Sequence, residues 1–205
     1  MTSPAAFHRA VMLAAFAAGM TASPVLAQRS TTRGWVLATH LQGGSLSVDH
    51  DDPSGGGGLG IRAGYGVNRY FTPYLEADAI QFDVANTDLG GQWGMTHVDL
   101  GVRYSFANSL RRWVPFLEAA LGVRAVIVDD GTVNGNDVGR VTFSGGAFSL
   151  GGGVGFYVKQ HVAIETLIKF TSGTFENVNV GDVTVGNLDI QAQSTRLKFG
   201  VAWWP

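Results

Sequence analysis

Residues Thr195 to Pro205 read TRLKFGVAWWP. Taken two at a time, one set is Thr195, Leu197, Phe199, Val201 and Trp203; the other is Arg196, Lys198, Gly200, Ala202 and Trp204. Successive side chains of a β-strand point to opposite faces, so this stretch has one apolar face and one charged or small face. An apolar face that meets lipid, with polar groups on the other side, is the pattern of a stave in a membrane β-barrel.

The same alternation recurs upstream. Gly34–Gln42 places Trp35, Leu37 and Leu41 against His40 and Gln42, with Val36 and Ala38 blurring the contrast. Leu59–Val67 alternates Leu59, Ile61, Ala63, Tyr65 and Val67 with Gly60, Arg62, Gly64 and Gly66. In 74–84, Leu75, Ala77 and Ala79 oppose Glu76 and Asp78; Ile80 and Phe82 fall on the polar parity, which suggests a bulge or an extension beyond the membrane. Trp93–Phe106 sets Val98, Leu100, Val102, Tyr104 and Phe106 against His97, Asp99, Gly101, Arg103 and Ser105. Trp113–Val128 sets Leu117, Ala119, Leu121 and Val123 against Glu118, Ala120, Gly122 and Arg124. Phe148–Val158 is glycine-rich on its second face, and Val162–Phe170 carries Glu165 and Lys169 there. With Thr195–Pro205 these make eight strands.

Glycine-, Asp- and Asn-bearing segments at 43–58, 86–92, 129–146 and 171–189 read as long loops. Residues 68–73, 107–112 and 159–161 read as short turns. Long and short connections therefore alternate, as in an up-and-down antiparallel transmembrane barrel with long outer loops, short periplasmic turns and both termini on the periplasmic side. Aromatics gather toward the short-turn end (Trp35, Tyr70, Phe71, Tyr74, Tyr104, Phe106, Trp113, Phe116, Phe156, Trp203 and Trp204), as an interfacial girdle would.

Composition agrees. Charged residues are 15% of the chain, where water-exposed surfaces carry about 25–35%. There is no cysteine, so an exported chain must be held by other means, and a closed hydrogen-bonded barrel is one. His8 and Arg9 precede the apolar run Ala10–Met20, and Val25 and Ala27 supply the small residues of a cleavage site. Residues 1–27 thus read as a Sec signal peptide, and 28–205 as one outer-membrane β-barrel domain. The run is shorter than the roughly 20 residues a spanning helix needs. Removing 1–27 takes away Arg9 and no acid, moving the formal charge from −2 to −3, so there is no nucleic-acid footprint.

A soluble lipocalin-like barrel alternates equally well with its apolar face inward. The polar face separates the two. It carries the acids Glu76, Asp78, Asp99, Glu118 and Glu165 and the bases Arg62, Arg103, Arg124, Lys169, Arg196 and Lys198, interleaved with glycine. So nearly balanced a set suits a narrow eight-stranded lumen filled by paired side chains. Leu100, Val102, Leu121, Leu197, Phe199 and Val201 then face lipid.

The glycine-aromatic strand LGGGVGFYV (150–158), the acid-bearing LEADA (75–79) and FLEAALGV (116–123), and the aromatic end Trp203-Trp204-Pro205 resemble the small outer-membrane β-barrel superfamily that includes the OmpA barrel domain and OmpX. The resemblance covers roughly 31–205. It implies an architecture and no particular activity, and a final strand read by the barrel assembly machinery; unlike in full OmpA, a peptidoglycan-binding domain after the barrel is not expected. The superfamily's usual last residue is phenylalanine; here it is Pro205.

Chemistry is sparse. His40, His50, His97 and His161 remain after the signal segment, and none is followed by the His-x-Ser arrangement that eight-stranded lipid A deacylases resemble. His40 and His97 read as interior network members. Asp49-His50-Asp51-Asp52 offers oxygen ligands for calcium or magnesium but lacks an EF-hand spacing, and reads as a solvated acidic loop. The glycines at 55–58 and 151–153 lack the Lys-Ser/Thr of a phosphate loop. The sequence therefore indicates a monomeric, non-enzymatic barrel of the outer membrane, without cofactor, serving envelope structure or contact with a surface partner. A small OmpW-like conduit and a lipid A-modifying enzyme are the alternatives.

Overall fold

Period-two alternation in this chain runs further than the turn-forming residues suggest. The computed structural model describes residues 31–48, 54–82, 89–106, 112–133, 136–180 and 183–205; the signal segment and Asp49–Asp52 lie outside them. The chain forms eight antiparallel strands: β1 (Gly34–Val48), β2 (Ser54–Gly66), β3 (Phe71–Phe82), β4 (Leu89–Ser105), β5 (Trp113–Val133), β6 (Asn136–Lys159), β7 (Val162–Val180) and β8 (Val183–Trp203). Each pairs with its neighbour in sequence. β8 returns to β1, from Leu37 opposite Trp203 to Val48 opposite Ala192, and closes the barrel.

Much of what the sequence marks as loop is strand. Residues 43–48, 54–58, 89–92, 129–133, 136–146, 171–180 and 183–189 all lie in strands, and of those segments only 49–53, 86–88, 134–135 and 181–182 lie outside the described residues. The four glycines 55–58 illustrate why. They sit in β2, where a Cβ at Gly56 would overlap the carbonyl of Gln81 and one at Gly58 that of Ala79. Glycine is used there for close backbone approach within the sheet, and the same residue type misled the loop assignment. At the other end the turns are tight. The Asn68 side-chain oxygen accepts hydrogen bonds from the backbone N–H groups of Tyr70 (2.8 Å) and Phe71 (3.0 Å), fixing the β2–β3 reversal.

β3 has no bulge. Its burial alternates from Phe71 to Phe82 without a break, and its pairing with β4 is continuous from Phe71–Tyr104 to Phe82–Trp93. Ile80 and Phe82 are simply inward residues that happen to be apolar.

The outer wall carries Leu100 (68% exposed), Leu121 (67%), Val102, Leu197, Phe199 and Val201. Edge-to-face pairs Trp35–Tyr65 (5.4 Å), Phe71–Tyr104 (5.2 Å) and Tyr104–Phe106 (5.0 Å) form part of the girdle near the short turns. Tyr74, Phe116 and Trp204 are corrections to that girdle: their parity turns them inward, where all three are buried.

Candidate functional site: the barrel interior

The inward residues are stacked in three zones. At the short-turn end, Val36, Val114, Tyr157, Ala163, Ala202 and Trp204 form an apolar cluster. The Tyr157 hydroxyl donates to the Thr31 carbonyl at 2.7 Å, tying the segment before β1 to that end. At the opposite end, Leu46, Ile80, Phe82, Met95, Val126, Phe175 and Ala192 form a second apolar cluster, with Trp93, Phe143 and Ile190 packed against it.

The charged residues lie between. Arg103 donates to Glu118 at 2.6 Å and to both oxygens of Glu165 at 2.6 and 3.0 Å, with the Phe116 ring 3.6 Å from its guanidinium carbon. Arg62 joins the same two acids, at 3.2 Å to Glu118 and 2.5 Å to Glu165, and the Tyr74 hydroxyl donates to Glu118 at 3.3 Å. On the side of the second apolar cluster, Glu76 accepts from Lys169 and from Lys198 (2.7 Å). Lys198 also reaches Asp78 at 2.5 Å, and Arg196 reaches it at 2.6 Å while donating to Thr171 at 2.7 Å. Asp99 lies 3.5 Å from Lys169 and 3.6 Å from Arg196. Arg124 donates to the backbone carbonyl of Ala192 at 3.0 Å.

All eleven charged residues of the polar face therefore point into the lumen, and ten are buried, Glu165 being only slightly open. Strand pairing dictates this convergence: Arg62 is opposite Glu76, Glu76 opposite Asp99, Arg103 opposite Glu118 and Lys169 opposite Arg196. Burying so many charges is tolerable only where partners replace water, and these distances supply that replacement.

His40 is one such partner. Its Nε2 is 2.8 Å from Asp78. His40, Glu76 and Asp78 bring ligand atoms within 4.8 Å of one another, a spacing a metal ion could bridge. Lys198 already bridges the two carboxylates, however, so a cation would have to displace a buried ammonium. His161 sits in the exposed β6–β7 turn. His97 is fully buried, and neither ring nitrogen has a hydrogen-bond partner among the described residues. The space bounded by His40, Arg62, Glu165 and Lys198 holds about 10 Å³, room for one water.

Sequence reasoning found the charged zone and missed the apolar ones. The available signal was parity: Ile80 and Phe82 share the face of Glu76 and Asp78, as Val36 shares that of His40 and Trp204 that of Lys198.

Residues 12–201 match the family model described as outer membrane protein beta-barrel domain. The chain belongs to that family. No curated protein sequence matches this outer-membrane barrel. Among solved structures it is similar to Neisserial surface protein A, at 17% identity over 84% of this chain and 97% of that one, with a TM-score of 0.63. It is also similar to Ail, the attachment invasion locus protein of Yersinia pestis (10% identity, 83% and 99% covered, TM-score 0.53). The outer membrane protein OprG of Pseudomonas aeruginosa is a third (12%, 85% and 97%, 0.53). These likenesses are of fold, and they agree with the closed barrel and the lipid-facing wall.

Proposed function

We propose that this outer-membrane barrel is a non-enzymatic, non-conducting anchor that presents a rim of extended strands for contact with a surface partner. The observation that carries this reading is the filled interior: among the described residues, two apolar clusters and the ion-pair zone between them occupy the lumen. Among the described residues the lumen carboxylates and His40 are engaged in ion pairs, which supports the non-enzymatic reading.

The rim supports the second half of the proposal. β5 to β8 continue well past the ends of β1 to β3. β8 pairs with β1 only as far as Ala192, whereas its pairing with β7 runs on to Val183. From Val183 to Gln191 one edge of β8 is therefore unpaired among the described residues. An exposed edge offers backbone donors and acceptors to an incoming strand. Export with cleavage after Ala27, recognition of β8 by the assembly machinery, and a monomeric state in outer-membrane lipid belong to the same reading.

The test is reconstitution of pure, heat-modifiable protein in planar bilayers, with mass spectrometry of lipid A from cells with and without the protein. Silent bilayers and unchanged lipid A are expected. A stable unitary conductance would replace the anchor with a conduit, and an altered acyl pattern would make the protein an enzyme.

A further inference from the structure

The interior holds five carboxylates (Glu76, Asp78, Asp99, Glu118 and Glu165) against six bases (Arg62, Arg103, Arg124, Lys169, Arg196 and Lys198). Five of the bases lie within 4.0 Å of at least one carboxylate. Arg124 has no such pair among the described residues. Only 1% of it is exposed, and one N–H of its Nη2 is used on the Ala192 carbonyl. Its Nε and Nη1 are buried without a partner.

Other unsatisfied groups come from strands that converge on the same level of the barrel. His97 is the direct cross-strand partner of Arg124, is 1% exposed, and has two unpartnered ring nitrogens. On β8, the Ser194 hydroxyl, two residues from Ala192, and the Arg196 Nε are also buried and unpartnered. Asp99, the nearest acid along β4, lies between Lys169 and Arg196 at 3.5 and 3.6 Å, and neither of its oxygens has a hydrogen-bond partner among the described residues. On the outer side, Met95, Val126, Phe175 and Ala192 form an apolar cover, with the Phe175 ring 4.8 Å from the Arg124 guanidinium.

A guanidinium does not deprotonate in a protein, so it cannot escape burial by becoming neutral. Donors left without acceptors in such a place call for a trapped water or ion. The excess is one positive charge, and beside the unpartnered Asp99 oxygens the unmet groups on Arg124, His97, Ser194 and Arg196 are N–H and O–H groups and one imidazole acceptor. We propose that Arg124, together with His97 and Ser194, binds a monovalent inorganic anion of halide size inside the lumen. The anion completes the charge balance of the plug beneath its apolar cover. It is a structural counterion, separate from whatever the rim contacts.

Bromide is the probe. In crystals of the detergent-folded protein grown in bromide, an anomalous peak is expected within hydrogen-bonding distance of the Arg124 guanidinium. In solution, bromide is exchanged for the much bulkier gluconate at constant ionic strength, and unfolding in urea is followed. Beyond the dissociation constant, each tenfold rise in bromide should lower the unfolding equilibrium constant about tenfold. Arg124→Met should keep heat-modifiable mobility and lose this dependence, and Ser194→Ala should weaken it. Density for water alone at Arg124 overturns the proposal. So does a bromide dependence that persists in Arg124→Met, and so does a peak with no effect in solution, which marks binding at crystal concentration only. If Arg124→Met does not fold, the wild-type crystal and Ser194→Ala decide.

Discussion

Arg103 offers the sharpest test of the plugged lumen. Its guanidinium makes three charged hydrogen bonds, one to Glu118 and two to Glu165, between 2.6 and 3.0 Å. Arg103→Met keeps the apolar stem and removes the fork. Glu165 is then left to Arg62 at 2.5 Å, while Glu118 keeps Arg62 at 3.2 Å, the Tyr74 hydroxyl at 3.3 Å and Lys169 at 3.8 Å. Arg62 alone cannot replace the three hydrogen bonds that Arg103 gave to these two acids, so the substitution leaves buried carboxylate charge under-paired, and breaking a buried pair from one side costs about 3–5 kcal/mol. Glu165→Gln should cost less, because Glu165 is slightly open to solvent and both arginines keep Glu118. The double variant removes one charge of each sign. It should be less destabilised than the sum of the singles by about 1–3 kcal/mol, the coupling of neighbours in one network. Urea unfolding of the detergent-folded barrel, followed by unheated electrophoretic mobility, measures all four proteins. An Arg103→Met variant within about 0.5 kcal/mol of wild type, or strict additivity, would mean that the carboxylates are hydrated, and the plugged interior would fall.

Three other outcomes are expected. Leu100→Arg, on the outward face of β4 between Thr96 and Tyr104, should cost about 2–4 kcal/mol in vesicles, while Leu100→Ile should be near neutral, as read by fraction folded against urea. Trp204→Ala should cost about 3–5 kcal/mol, because this ring is 2% exposed in the cluster at the short-turn end; Trp203→Ala, at 50% exposed, should cost distinctly less in detergent. Gly58→Val should disrupt β2–β3 pairing, since its Cβ overlaps the Ala79 carbonyl; faster amide exchange in 54–58 is the readout, and unchanged protection would contradict the register.

The membrane-spanning half of the fold was legible because lipid and lumen impose opposite demands on adjacent residues. Leu197 and Lys198 could not be exchanged without cost, and that contrast survives in a single sequence. Where the environment is the same on both faces, the contrast fades. Residues 171–180 and 183–189 carry Thr, Ser, Asn and Gly on either side, so strand and loop look alike from composition. There the sheet is recognised only through its partners, as when Phe175 meets Ile190 and Val178 meets Val185. Ile80 and Phe82 failed for a different reason. The reading assumed one polarity for the whole inward face, whereas the lumen changes polarity along its axis.

That change of polarity explains how so charged an interior can be stable. Coulombic attraction between buried partners is strong only where water is kept away, and desolvation is repaid only if the partners stay aligned. Trp204 and Tyr157 at one end, and Phe82, Phe175 and Met95 at the other, restrict water at both mouths. The ion pairs are thereby held in a zone of few solvent contacts, and a chain without cysteine gains cross-barrel ties from Arg103 on β4 to Glu165 on β7 and from Arg196 on β8 to Asp78 on β3. These ties join strands that are not neighbours in the sheet and lock the barrel across its axis. The outward ends of β5 to β8, which run on past β1 to β3, are where the proposed contact with a partner would be made.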